Sequence, residues 1–283
     1  MLLGYLLAFR EGFEAALLIG MVLGVLRRMR RSDLVAAVWQ GVGAATAVSV
    51  LGAAAFLTLG LSLEGRMENF FAGTTMLLAA LAVTGMLLWM FRRASILPPS
   101  LENYIQTAAR RQGRKAIFGV AFVSVLREGT ELAFFSVAAV FASTPTGALL
   151  GALFGLATAF LLGRLWFTTT LRLDLHCFFR VSGVLLTLLA AGLVAQSIHE
   201  FNAIGWIPAI VDPIWNTNGL LNAHSFVGEA LGAFFGYNSR PSLSEVLAYG
   251  IYFISVVWGV RRLKTAPTTR SAQPPSSTDI SLP

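Results

Sequence analysis

Residues 2–26 read LLGYLLAFREGFEAALLIGMVLGVL, an apolar run interrupted near its middle by Arg10, Glu11 and Glu14. A helix needs about 20 mostly apolar residues to cross the hydrocarbon core of a bilayer. Ionised side chains at such depth are costly, face the protein interior, and by default mark a substrate or ion path. This stretch therefore predicts a membrane-spanning helix that turns its charged groups toward other helices.

Six further apolar stretches have the length of a membrane span. The chain of 283 residues is 56% hydrophobic and only 12% charged, whereas a soluble domain carries roughly 25% charged residues. The sequence therefore predicts an all-α integral membrane protein with seven transmembrane helices. The six further spans are 34–61, 68–91, 116–141, 147–171, 178–199 and 245–260.

The net charge of +7 is distributed unevenly along the chain. Most of the 21 Lys and Arg residues lie in 27–31, 92–115, 172–180 and 261–270, four segments that seven spans would place on one side of the membrane. Cytoplasmic loops carry an excess of Lys and Arg, so we expect the N-terminus outside and the C-terminus in the cytoplasm. Basic segments that alternate with membrane crossings exclude a nucleic-acid-binding face and leave membrane lipid as the expected surroundings.

The charged motif of the first span occurs twice. Residues 10–14 read REGFE, and residues 127–131 in the fourth span read REGTE. An odd number of spans in each copy makes the two copies run in opposite directions, the inverted-repeat plan of many transporters, whose sites lie where the halves meet near the midplane. We expect a first three-helix repeat over 1–93 and a second over 116–200, with the last helix outside the repeat.

The segments outside the repeats are assigned by composition. Between the repeats, 94–115 is polar and then basic, which predicts a cytoplasmic connector with a solvated surface. The segment 201–244 carries aromatic residues typical of a membrane interface and is predicted to be an outer loop. A seventh helix is expected over 245–263, and the tail 264–283, rich in Pro, Ser and Thr, is expected to be disordered.

The paired motifs form a candidate metal site. Residues three or four apart share a helix face, and the glycine inside each motif lets a neighbouring helix approach closely. If the repeats bring the motifs together, four carboxylates and two guanidinium groups converge with a formal sum of −2. Carboxylate oxygens suit hard cations. The expected metal ligands are Glu11, Glu14, Glu128 and Glu131, with Arg10 and Arg127 balancing their charge.

Other interpretations of the motifs stay open. Each arginine could pair with its neighbouring glutamate only to hold helices together, or the glutamates could relay protons without a metal. An intramembrane enzyme could use them as acid and base, but no recognisable nucleophile, zinc motif or Walker-type phosphate loop accompanies them, so we expect no enzyme. A metal sensor would need a folded output domain, and the connector and tail are short and polar.

A second set of candidate ligands lies on the predicted outer side. Glu64 and Glu68 occupy the loop after the second span, His199 and Glu200 end the sixth, and His224 lies in the outer loop. Negative charge raises the local concentration of cations, and imidazole is a ligand for transition metals. A solvated acidic loop and hydrogen-bonded structural histidines are the simpler interpretations. The alternative is an outer site at which a cation is first bound.

The doubled Arg-Glu-Gly-x-Glu motif in a seven-span chain resembles the oxidase-dependent iron permease family, with its fungal high-affinity and bacterial EfeU-like branches. The resemblance covers residues 1 to about 260, and the stretch 235–246 (FGYNSRPSLSEV) looks like the bacterial branch. It implies a permease that moves ferrous or ferric iron into the cytoplasm across the bacterial inner membrane. It also implies that the four glutamates of the motifs are the transport ligands.

The same resemblance implies iron as substrate, no permanently bound cofactor, and two partners, a periplasmic iron-binding protein and a haem peroxidase. One departure concerns the outer side: family members often carry a further Glu just before the glycine that starts the third span, and this chain has Ala72 there. The superfamily is thought to include lead-uptake proteins. Lead or another heavy-metal cation is therefore the alternative cargo.

Overall fold

Helices dominate the part of the chain that the computed structural model describes, which is 1–93, 105–107, 109, 113–168, 175–217, 219, 225, 227–228, 231–232 and 236–265. For 89–93, 166–168, 175–180 and 263–265 the description is of the backbone alone. Within these residues there is no strand, which confirms the all-α prediction. The long helices are α1 (Leu2–Arg28), α2 (Val35–Leu61), α3 (Arg66–Arg93), α4 (Gly113–Ala142), α5 (Pro145–Thr168), α6 (Leu175–Ala203) and α7 (Leu243–Thr265).

Five of these helices are long and apolar enough to cross a membrane by length and composition: α2, α3, α5, α6 and α7. The other two long helices, α1 and α4, are those that carry the charged motifs. Both helices are long and mostly apolar, but the three charged residues of each motif lie near the middle of the helix and lower its hydropathy. The described helices therefore establish a multi-span helical protein in which α1 and α4 carry buried charge near their middles.

Two pairs of helices run side by side in the same direction. Near the start of α1, a Cβ added at Gly4 would lie 3.3 Å from the Cα of Ala148 in α5. Near the middle of α1, the Cβ of Ala16 lies 2.7 Å from where a Cβ at Gly163 would be. Residues later in α1 contact residues later in α5, so the two helices are parallel. Small residues make this close approach possible, as at many membrane helix interfaces.

The pair α2 and α4 repeats that arrangement. A Cβ at Gly41 would lie 3.1 Å from the Cβ of Ala121, and one at Gly60 would lie 2.8 Å from the Cζ atom of Phe141. Residues later in α2 again contact residues later in α4, so these two helices are also parallel. The first helix of each predicted repeat thus packs along the second helix of the other.

Equivalent helices of the two predicted repeats are antiparallel. Leu3 at the start of α1 shares a hydrophobic cluster with Val140 at the end of α4, and Leu26 shares another with Ile117. Between α3 and α6, the Arg66 guanidinium donates to the carbonyl of Ile204, just beyond α6, at 2.9 Å. The side chains at the opposite ends of the pair, Leu87 and Leu186, lie in one cluster.

The last helix, α7, packs on α6 and reaches α3. The hydroxyl groups of Tyr252 in α7 and Thr84 in α3 are 2.6 Å apart and share a hydrogen bond. The main contacts of α7 in the described residues are with α6 and α3, the last helix of each predicted repeat, whereas the charged motifs lie on α1 and α4.

Part of the segment 94–115, which is predicted to be a cytoplasmic connector with solvated charges, is buried in the core. Ile105 and Ala109 are 0% and 1% exposed and belong to the cluster that contains Leu26. The carbonyl of Ala109 accepts a hydrogen bond from Arg31 at 3.3 Å. Two apolar residues one helical turn apart suffice to bury one face of an otherwise polar segment. The predicted tail beyond 265 lies outside the described residues.

Candidate metal site

The two charged motifs face each other across the antiparallel contact of α1 and α4. One carboxylate oxygen each from Glu11, Glu128 and Glu131 lies within 4.8 Å of the others, a spacing at which all three could bind one ion. The structure thus brings acidic groups from both motifs together, as the sequence predicts. Glu14, the fourth expected ligand, lies outside that trio.

On α1, the carboxylates are held by a buried arginine. Arg10 is 2% exposed, and its guanidinium lies 2.8 Å from Glu11 Oε1 and 2.9 Å from Glu14 Oε1. Its Nη1 also lies 2.8 Å from the sulfur of Met86 in α3. A buried charge is stable only when it is paired, so Arg10 fixes both acidic side chains of this motif in place.

On α4 the same residue types adopt a different arrangement. The side chain of Arg127 is 54% exposed, and its Nε lies 3.2 Å from Glu131 Oε1. Glu128, by contrast, is 5% exposed. The two motifs share one sequence pattern, yet only the first encloses its arginine.

Four buried oxygen atoms at this contact have no hydrogen-bond partner: Oε2 of Glu11, Oε1 of Glu14, Oε2 of Glu128, and Oγ of Ser49 in α2. Of these, Oε1 of Glu14 still lies 2.9 Å from the guanidinium of Arg10. A buried polar atom without a partner costs about 1–3 kcal/mol, and more if it is charged. Oxygen ligands of this kind suit a hard cation. The donor set therefore fits a metal ion that would supply the missing interactions.

A cavity of about 1090 Å³ opens beside three of these residues between α1, α2, α4 and α5. Glu11, Glu128 and Ser49 line it, and it extends to Arg27 and Arg164 near the ends of α1 and α5. Its remaining lining is mostly apolar. A path with few polar groups and one acidic cluster is an arrangement in which a cation has one place to bind.

The motif glycines have the role that the sequence predicts. A Cβ at Gly12 would lie 3.0 Å from the Cβ of Ala159 in α5. A Cβ at Gly129 would lie 2.8 Å from the Cβ of Ser49 and would overlap its hydroxyl oxygen. The first motif therefore contacts α5 through Gly12, and the second contacts α2 through Gly129.

The outer candidates do not form one cluster. His199 Nδ1 lies 3.0 Å from Glu245 Oε1 in α7, and with Glu200 both residues line a second cavity of about 520 Å³. Glu64 and Glu68 are exposed where α2 gives way to α3. In the described part of the chain neither belongs to a group of three residues spaced to hold a metal. His224 lies outside the described residues.

Sequence reasoning missed two residues here, Glu245 and Ser49. Glu245 accepts hydrogen bonds from the backbone N–H of Ser242 at 3.2 Å and from Asn238 at 3.0 Å. The spacing of Ser242 and Glu245 is that of a capping box at a helix N-terminus, so the sequence carried that signal. No sequence pattern marks Ser49, because a lone serine in an apolar helix usually bonds its own backbone.

Comparisons with known proteins agree with this chemistry. Residues 1–265 match the iron permease FTR1 family. The chain is 34% identical to a ferrous iron permease EfeU of Yersinia pestis over 259 residues, which cover 90% of the chain and 91% of the relative. It is 32% identical to a ferrous iron permease EfeU of Escherichia coli O157:H7 over 258 residues, 90% of the chain and 93% of the relative. No solved structure matches the chain.

Proposed function

The chain belongs to the iron permease FTR1 family, and on that basis we propose that it carries iron into the cytoplasm through the acidic site between α1 and α4. It is a multi-pass integral membrane protein of the bacterial inner membrane, as its apolar helices and its relatives indicate. The observation that carries the proposal is the meeting of Glu11, Glu128 and Glu131, from two antiparallel helices, within 4.8 Å.

The helix packing supports an inverted 3+3 topology for this permease. In the predicted repeat, α1, α2 and α3 correspond to α4, α5 and α6. Exchanging each helix with its counterpart converts the α1–α5 contact into the α4–α2 contact, and both contacts are present. The same exchange maps the α1–α4 and α3–α6 contacts onto themselves. The equivalent helices run antiparallel, as two oppositely inserted copies must. All seven long helices then cross the membrane, α7 lies outside the repeat, and the basic segments place the N-terminus outside and the C-terminus inside.

The charge of the site suits a metal cation as cargo. Four glutamates and two arginines sum to −2, which a ferrous ion would neutralise and a ferric ion would exceed by one charge. An ion that leaves water needs oxygen ligands in exchange, and the unpartnered oxygens of Glu11 and Glu128 supply them. Arg10 pairs with both Glu11 and Glu14 and so offsets part of their negative charge.

Transport follows if the two repeats rock about the site, as in other inverted-repeat transporters. The cavity beside the acidic cluster extends to Arg27 and Arg164, near the predicted cytoplasmic ends of α1 and α5. It also extends to Leu57 and Leu149, nearer the predicted outer ends of α2 and α5. On the predicted outer side, His199 and Glu200 line the smaller cavity, where an outer iron-binding partner would deliver the cation. A periplasmic iron-binding protein and a haem peroxidase are the partners that this assignment favours.

The test is iron uptake into vesicles that contain the purified protein. Glu128→Gln and Glu131→Gln each remove one charged ligand without changing side-chain size. A charge-assisted interaction is worth about 1.5–3 kcal/mol, so we expect uptake at low iron concentration to fall by about 10- to 100-fold. Glu64→Gln, at an exposed acidic residue, is the matched control and should keep wild-type uptake.

Separate arms with iron kept reduced, iron kept oxidised, and lead would identify the preferred cargo. Wild-type uptake by both site variants would reject the acidic cluster as the transport site. Uptake of none of these metals by the wild-type protein, in vesicles where it is folded and correctly inserted, would reject the permease function itself.

A further inference from the structure

Ser49, in the middle of α2, has a hydroxyl group that departs from the behaviour of its neighbours. The residue is 8% exposed, and its Oγ has no hydrogen-bond partner. A serine within a membrane helix normally donates to the carbonyl one turn earlier. The Ser49 hydroxyl does not, although the Ala45 carbonyl is available at that position in the chain.

Other hydroxyl groups in this protein do make that bond. Thr84 donates to Ala80 at 2.6 Å, and Thr187 donates to Gly183 at 2.8 Å. Ser143, the residue after α4, follows the same pattern and donates to the carbonyl of Ala139 at 2.8 Å. The cost of leaving a buried hydroxyl unpaired is about 1–3 kcal/mol from mutational data. The orientation of Ser49 therefore calls for a partner of another kind.

The surroundings of Ser49 indicate what that partner is. Its side chain packs directly on Gly129 of the second motif, the residue next to Glu128. Ser49, Glu11 and Glu128 line the same cavity, and the latter two each present an unpartnered, buried carboxylate oxygen. Three residues that each hold an oxygen atom without a hydrogen-bond partner thus line one cavity.

The equivalent contact of the first motif has no such group. Gly12 packs against Leu156 and Ala159, which offer only carbon. Arg10 already pairs with Glu11 on that half of the site. The hydroxyl therefore lies on the half of the site that carries Glu128, and the two-fold likeness of the motifs does not extend to it.

We propose that the Ser49 hydroxyl is a neutral oxygen ligand of the transported cation, beside the carboxylates of Glu11 and Glu128. This inference rests on the proposed function and adds a ligand to it. The oxygen lone pair coordinates a hard di- or trivalent cation, while the hydroxyl proton is free to bond to a neighbouring carboxylate or to water. A neutral ligand raises the coordination number of the ion without adding negative charge, which eases its release.

The test measures metal binding rather than transport, with purified detergent-solubilised protein and isothermal titration. Mn²⁺ is the hard probe and Cd²⁺ the soft one. Ser49→Ala should weaken Mn²⁺ binding about ten-fold, the effect of losing about 1.4 kcal/mol. Ser49→Cys replaces the oxygen with a soft sulfur ligand and should shift preference from Mn²⁺ toward Cd²⁺ by at least about ten-fold.

The controls are Thr46→Ala and Thr46→Cys. Thr46 lines the same cavity one turn earlier on α2 but is exposed, so its variants should bind both metals as the wild-type protein does. Cys177 is present in every variant and contributes equally to all of them.

Wild-type Mn²⁺ affinity in Ser49→Ala, or an unchanged preference in Ser49→Cys, overturns the assignment of Ser49. If Glu128→Gln loses Mn²⁺ binding while both Ser49 variants keep it, the proposed function stands and this inference alone fails. If the wild-type protein binds neither metal, both fail. Should Ser49→Ala not fold, the nearly isosteric Ser49→Cys variant decides the question.

Discussion

The unequal environments of the two motif arginines predict unequal effects when each is removed. Arg10 is 2% exposed and pairs with two carboxylates at 2.8 and 2.9 Å. Arg10→Met would leave both carboxylates in the protein interior without their cation. Breaking a buried ion pair by removing one partner costs about 3–5 kcal/mol, so we expect a loss of that size in the free energy of unfolding.

Arg127→Met is the matched control, because it removes the same residue from the same motif. Its side chain is 54% exposed and lies 3.2 Å from Glu131. Arg10 holds two carboxylates at 2.8 and 2.9 Å inside the protein, whereas Arg127 lies 3.2 Å from Glu131 at a more accessible position. Removing Arg10 should therefore cost more of the free energy of unfolding than removing Arg127, although the sequence around the two residues is nearly identical.

The assay is denaturant unfolding of metal-free protein in detergent, followed by a spectroscopic signal for helix content. Adding Glu11→Gln to Arg10→Met removes one of the two stranded charges, so the double variant should recover part of the lost stability. Lysine at position 10 should rescue incompletely, since one ammonium group cannot reproduce the forked contacts of a guanidinium. Equal losses for Arg10→Met and Arg127→Met would refute the reasoning, as would a double variant less stable than Arg10→Met.

Two further predictions concern packing and the outer contact. Gly129→Ala places a Cβ 2.8 Å from that of Ser49. It should lower the free energy of unfolding by about 1–3 kcal/mol and also reduce iron uptake. Gly43→Ala, where an added Cβ meets nothing within 4 Å, should change neither quantity. Glu245→Ala removes a buried acceptor of several hydrogen bonds and should lower stability by about 1.5–3 kcal/mol. His199→Ala, whose side chain is 55% exposed, should cost far less in the same unfolding measurement, and similar costs for the two would contradict the assigned roles.

Much of the helical architecture could be predicted because the bilayer imposes a simple length rule. A span predicted over 2–26 is a helix over Leu2–Arg28, and one predicted over 116–141 is a helix over Gly113–Ala142. The connector was harder, because its polar composition concealed Ile105 and Ala109, whose burial depends on helices far away in the chain.

The meeting of the two motifs could also be predicted, since charge inside an apolar span must be shared with another helix. The residues that surround each motif arginine could not be predicted from the sequence. That Arg10 is enclosed while Arg127 is half exposed depends on what lies beside each helix, such as Met86 of α3 next to Arg10. Identical local sequence carries no information about such neighbours.

The amino-acid sequence alone determined that this protein spans a membrane repeatedly and places acidic groups within it, because the free energy of transferring side chains to hydrocarbon depends on residue type and run length. Only the tertiary structure decided which three carboxylates meet, which arginine is buried, and that Ser49 lines the same cavity with a hydroxyl group that has no hydrogen-bond partner. Those features depend on the crossing and register of helices distant in sequence, and distances between atoms on different helices exist only once the chain has packed.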